Sequence, residues 1–128
     1  MPRRRATPAP RRLRRIFVGV LKFHVDEDFC KWPENVWPSE AVGVALNSKS
    51  HIFLLNRGNH PLLEFGPDGS FIRSIGDGST IFHAAHSVRF DAEDGMWLVD
   101  AGNNVVVSST RRGASCRHSA AGSSPGCT

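Results

Sequence analysis

Six histidines, three cysteines and one acidic run are the residues of this 128-residue chain whose types could do chemistry, and their spacing sorts them. His83 and His86 would turn their imidazoles to one side only on a helix, and Phe82–Val88 does not read as one. His86 by itself makes a poor metal site, because catalytic zinc takes three protein ligands and a water. Cys30, Cys116 and Cys127 have no C-x-x-C spacing, so neither a thiolate zinc site nor a disulfide framework follows from them. Asp91, Glu93 and Asp94 are dense enough to attract calcium but lack the spacing of an EF-hand loop, so a solvated turn is the expectation. His51 and His60 fall in turns and read as exposed polar residues. Gly76-Asp77-Gly78 is not a phosphate loop, since no helix and no Lys follow in the required order. Arg57, between Asn56 and Gly58 at a strand end, has two readings. It is either a turn Arg paired with a neighbouring acid, or an anion anchor whose planar guanidinium suits a carboxylate.

These residues are carried by a repeat. Residues 44–59 align without a gap on residues 88–103, so the period is 44. Val, Leu, Gly and Asn recur at 44/88, 54/98, 58/102 and 59/103, and apolar residues face apolar ones at 46/90, 52/96, 53/97, 55/99, 62/106 and 63/107. Ile52–Leu55 and Met96–Val99 are short apolar runs suited to buried strands. Asn47–Ser50 and Asp91–Gly95 before them are turn residues. Gly58 and Gly102 after them permit positive φ in a tight turn. Strands Pro61–Phe65 and Val105–Val107 come next, and Pro67-Asp68-Gly69 turns the first copy into Ser70–Ile75. Strand, turn, strand, turn, strand at this period is one antiparallel propeller blade per copy. The sequence therefore predicts an all-β fragment of a propeller, with two sheets of three to four strands over about 40–107.

The flanks differ in composition. Residues 1–15 hold seven Arg and no acid, residues 108–128 three Arg and no acid, and the segment between holds all twelve acids. The net charge of +4 thus belongs to the ends and says nothing of a basic face on the folded part. The head, 1–15, is expected to be disordered, with an export signal or a nucleic-acid-touching arm as lesser readings. The Ile16–Leu21 run is too short for a signal peptide, and no aromatic residues interleave the Arg. In the lead-in, 16–39, Phe17–Phe23 reads as a strand. The Trp/Pro stretch Phe29–Pro38, with Trp32 and Trp37, reads as an irregular plug over an apolar surface or, secondarily, as a ligand-stacking pair. The tail, 108–128, has no large apolar residue and is expected to add nothing to a core, as if the pattern broke off in mid-blade through truncation or a lost reading frame. No apolar run approaches the roughly 20 residues of a membrane span.

Several motifs together resemble the NHL-repeat family of six-bladed propellers, in particular the branch similar to peptidyl-α-hydroxyglycine α-amidating lyase. They are the Trp-Pro segment, Asn56-Arg57-Gly58-Asn59-His60-Pro61, Phe65-Gly66-Pro67-Asp68-Gly69, Phe71–Ile75 with Gly76, and His86–Asp91 leading to Trp97-Leu98-Val99-Asp100. The likeness covers about residues 24–107. Six blades of this length would need about twice this chain. The resemblance implies a zinc held by three His, one of which falls on His86, although Ala85 and Ser87 replace the Pro and Gly that flank it in the family. It also implies a substrate-polarising Arg at Arg57, and a calcium bound partly by the backbone carbonyls of Val44 and Val88. The remaining two His, the calcium carboxylate and a catalytic Tyr belong to later blades, and this sequence contains no Tyr.

Two functions from different classes follow. One is a non-catalytic propeller fragment or interaction module, whose partners are protein or peptide ligands, itself, or another fragment through exposed edges. No cofactor is expected in this chain on that reading. The other is a lyase-like enzyme needing the missing blades. A basic-armed nucleic-acid binder ranks third and predicts strongly salt-dependent affinity.

Overall fold

The computed structural model describes residues 13–110 and 113–118, and all of their regular structure is β, in ten strands. The chain divides between Cys30 and Lys31 into two units. In the first, β1 (Leu13–Val18) and β2 (Leu21–Asp26) pair antiparallel, with Ile16 opposite Phe23 and Val18 opposite Leu21. The single strand expected over Phe17–Phe23 is thus a hairpin. Gly19, at φ 58°, supplies the left-handed residue that reverses the chain. Leu13–Arg15, assigned from sequence to the head, lie in β1, and residues 1–12 lie outside the described residues.

The second unit holds two four-stranded antiparallel meanders. The first runs β3 (Glu40–Leu46), β4 (Ile52–Arg57), β5 (Leu62–Phe65), β6 (Phe71–Ile75). The second runs β7 (Ala85–Phe90), β8 (Met96–Asp100), β9 (Val105–Thr110), β10 (Gly113–His118). The repeat read from sequence survives in detail. Asn47 Oδ1 accepts from the amides of Lys49 and His51, and Asp91 Oδ1 accepts from those of Glu93 and Gly95, the same positions one period on. Ser50 and Asp94 both sit near φ 60°. Each first strand carries a bulge at the same place, at Val42 and at His86, where the pairing register slips by one.

Two expectations about these sheets are corrected. The tail was expected to add nothing after Val107, but β9 continues to Thr110 and β10 pairs along it from Gly113 to His118. Ladder hydrogen bonds are made by backbone groups, so a strand can join an edge without apolar side chains. Residues 111, 112 and 119–128, Cys127 among them, lie outside the described residues. The second correction concerns the turn glycines. Gly58 has the expected positive φ, at 157°, but in the second copy the positive φ falls on Asn104 and not on Gly102. Gly102 instead admits close approach: a Cβ there would lie 3.0 Å from the Ala84 backbone nitrogen.

The core lies between the two sheets. Cross-strand pairing sets Ala45, Phe53, Leu55, Leu62 and Ile75 on one face of the first sheet, here called its front. That face packs against the back of the second sheet, formed by Val88, Phe90, Met96, Leu98 and Val107. β7 lies against β3 and β4, and at Gly43 the two inner strands are in ordinary contact: a Cβ there would be 3.5 Å from Ser87 Cα. Phe53 and Phe90 meet across the seam at 4.7 Å between ring centroids. On the back of the first sheet, Trp32 packs edge-on to the buried Phe65 at 5.0 Å, and Lys31 N–H donates to Gly69 C=O at 2.8 Å. Part of the Trp/Pro segment therefore covers the outer strands, whereas Trp37 is exposed.

Candidate functional site

The inner strands bring two of the sequence-derived residues to one rim. Arg57 ends β4, and its Nε donates to the Ala85 carbonyl at 3.1 Å while Nη1 pairs with Glu40 Oε1 at 2.8 Å. The turn-Arg reading is realised in the Glu40 pair. The Ala85 contact sets the guanidinium beside the residue that precedes His86. His86 is the extra residue of the β7 bulge and its side chain is exposed, a typical use of a bulge to re-aim one side chain. Its counterpart Val42 turns inward and packs against the core.

The metal sets implied by the resemblance are incomplete in these residues. Zinc there needs three imidazoles, and among the described residues no three His, Cys, Asp or Glu converge. His83 packs over Gly102. Val44 and Val88 occupy matching places on β3 and β7. The Val88 carbonyl, however, accepts from Arg89 Nη1 at 2.7 Å, which sets a positive charge where a calcium would sit. The residues present therefore fit neither ion as they stand.

Three polar clusters were invisible as clusters in the sequence. Asn56 and Asp100, one period apart and both buried, each accept a backbone amide from the start of the preceding inner strand: Glu40 N–H on Asn56 Oδ1 and Ala84 N–H on Asp100 Oδ2, both at 2.9 Å. The signal for them was the coincidence of two short polar residues at the ends of apolar strands.

Glu64, in the apolar run Leu62–Phe65, is the second. It is buried, and accepts from Arg73 Nε at 2.6 Å and pairs with His51 Nδ1 at 2.7 Å. Burial pushes its carboxyl up, but the hydrogen bonds from His51 and Arg73 and the Arg73 charge outweigh burial and hold it below its usual range. His51 is therefore half-buried and paired, not a free turn residue. These three line a cavity of about 450 Å³ between the sheets, floored by Phe53, Phe90 and Met96.

The third gathers His60, Asp77 and Ser74, residue types of a nucleophilic triad. Asp77 Oδ2 meets His60 Nδ1 at 2.9 Å, and the Ser74 hydroxyl donates to the other Asp77 oxygen. The Ser74 hydroxyl and the carboxylate thus both approach the same imidazole nitrogen. A nucleophilic serine needs the base nitrogen opposite the carboxylate, so this arrangement is a turn clasp and not a catalytic triad. Asp91 acts locally too. Hydrogen bonds from the Trp97 indole and from backbone amides lower its pKa, and Asp94 holds Ser48 across the seam.

No protein-family model matches this chain, and no curated protein matches it. In the described residues no helix is long and apolar enough to cross a membrane.

Proposed function

We propose that the two meanders are consecutive blades of an NHL-type β-propeller and that the chain acts as a non-catalytic interaction module for protein or peptide surfaces. The observation that carries this reading is the stacking of two sheets whose turns, bulges and buried polar ties recur at a 44-residue interval, inner strand against inner strand. The test is release of glyoxylate from a peptidyl-α-hydroxyglycine by the purified chain with added zinc. No release above the zinc-only rate is expected, and a zinc-dependent turnover lost in His86→Ala would overturn this reading. That outcome would favour the second one, an amidating-lyase-like enzyme, for which the Arg57–Ala85 contact at 3.1 Å is the specific support, since it brings the two resembled site residues to one rim.

A further inference from the structure

We propose that a second copy of this chain docks head to tail, laying the front of its second sheet on the back of β3 in the first copy. The argument rests on one pair of residues. Val44 and Val88 are the same residue at the same repeat position on the same face of an inner strand, yet Val88 is 0% exposed and Val44 57%. Their neighbours repeat the contrast: Phe90 packs against the core, while Leu46 is 58% exposed. What covers Val88 and Phe90 is the front of the preceding sheet, built on Phe53, Leu55 and Leu62.

One period on, the front of the second sheet presents Trp97, Val99 and Val106 at those same positions, all half-buried. Ser108 stands where Glu64 does, so that face lacks the counterpart of the His51–Glu64–Arg73 cluster. Arg89, in the place of Ala45, turns its guanidinium back to its own strand. The second sheet's front is thus the chemical counterpart of the surface that already buries Val88.

The two faces are different surfaces, so the contact is heterologous and each copy keeps one of each. The Trp32 plug leaves it open. Trp32 lies on Phe65 of an outer strand, whereas the intramolecular stack is made by β7 against β3 and β4. The proposal takes its geometry from the blade reading above, and a separate control checks that stack.

Sedimentation velocity of the full chain over a concentration series is the test. Association with a dissociation constant below about 1 mM is expected. Val44→Asp and Val99→Asp should each be monomeric alone. An equimolar mixture should regain a dimer, because one variant keeps an intact front and the other an intact back. Val106→Asn replaces Val99→Asp if the latter loses its β-type circular dichroism. A monomeric parent chain, a Val44→Asp variant that associates like the parent, or no recovery on mixing overturns the proposal. The control is Gly43→Cys with Val88→Cys, whose side chain faces that glycine (a Cβ at Gly43 would lie 3.6 Å from Val88 Cγ1), in a chain whose Cys30, Cys116 and Cys127 are Ser. An intrachain disulfide upholds the stack independently, and its failure to form would overturn the blade geometry and the docking with it.

Discussion

Asn56 and Asp100 tie each meander's second strand to the start of its first, and they do so from a buried position, where an unmet amide is costly. Asn56→Ala and Asp100→Ala should each lower stability by about 1–3 kcal/mol, read as a shift in the urea midpoint. His86→Ala, an exposed substitution, should stay within about 0.5 kcal/mol of the parent. Glu64 supplies a pH dependence. Its carboxyl titrates below the ordinary 4.5, so its contribution is fully present above that value and is lost as pH falls through the lower folded pKa. The urea midpoint should therefore drop on acidification below pH 4.5, and Glu64→Gln should flatten that limb while lowering stability at neutral pH. Asp68, pushed down to about 2 chiefly by the Ser70 hydroxyl and amide, is exposed and adds little to the same slope.

At the scale of elements, glycines at two places behave differently. At Gly43 a Cβ would meet Ser87 Cα and Val88 N at 3.5 Å, ordinary van der Waals contact, and a strand glycine forfeits side-chain packing. Gly43→Ala should be neutral or stabilising by up to about 1 kcal/mol. At Gly102 a Cβ would fall 2.3 Å from His83 Nδ1 and 3.0 Å from the Ala84 backbone. The imidazole can swing aside but the backbone cannot, so Gly102→Ala should cost about 1–3 kcal/mol. Thermal melts of the two variants side by side check the contrast, and equal midpoints would contradict the close-approach account. The β1–β2 hairpin is a different kind of element: Phe17, Val20 and Leu21 are exposed, and a lone two-stranded hairpin is marginal in water.

For the molecule as a whole, the main core is a seam. Phe53, Leu55 and Leu62 from one repeat meet Val88, Leu98 and Val107 from the other. A single repeat would leave one side of that seam in water. A peptide spanning residues 31–79 should therefore lack cooperative unfolding, while the full chain unfolds in one transition from that seam. Circular dichroism against urea decides this, and a cooperative transition in the single repeat would mean that the Trp32 plug suffices as a core.

The all-β class, the period of 44 and the division into two sheets were legible because strand signals are local. Asn47 and Asp91 make their turn bonds within four residues, and Ile52–Leu55 is a short apolar run of the kind suited to a buried strand. The bulge at His86 was not legible, because a register slip is a property of a pair of strands. Nor was the strand Gly113–His118, which owes its place to backbone pairing that no apolar pattern announces. Glu64 gains its partners only from the fold, which sets His51, 13 residues before it, and Arg73, nine after it, against one carboxylate. Val44 and Val88 make the division plain. The sequence by itself determined that both are the same residue at one position of the 44-residue repeat. Only the tertiary structure decided that one is buried and the other is not, because burial depends on which sheet stacks against it.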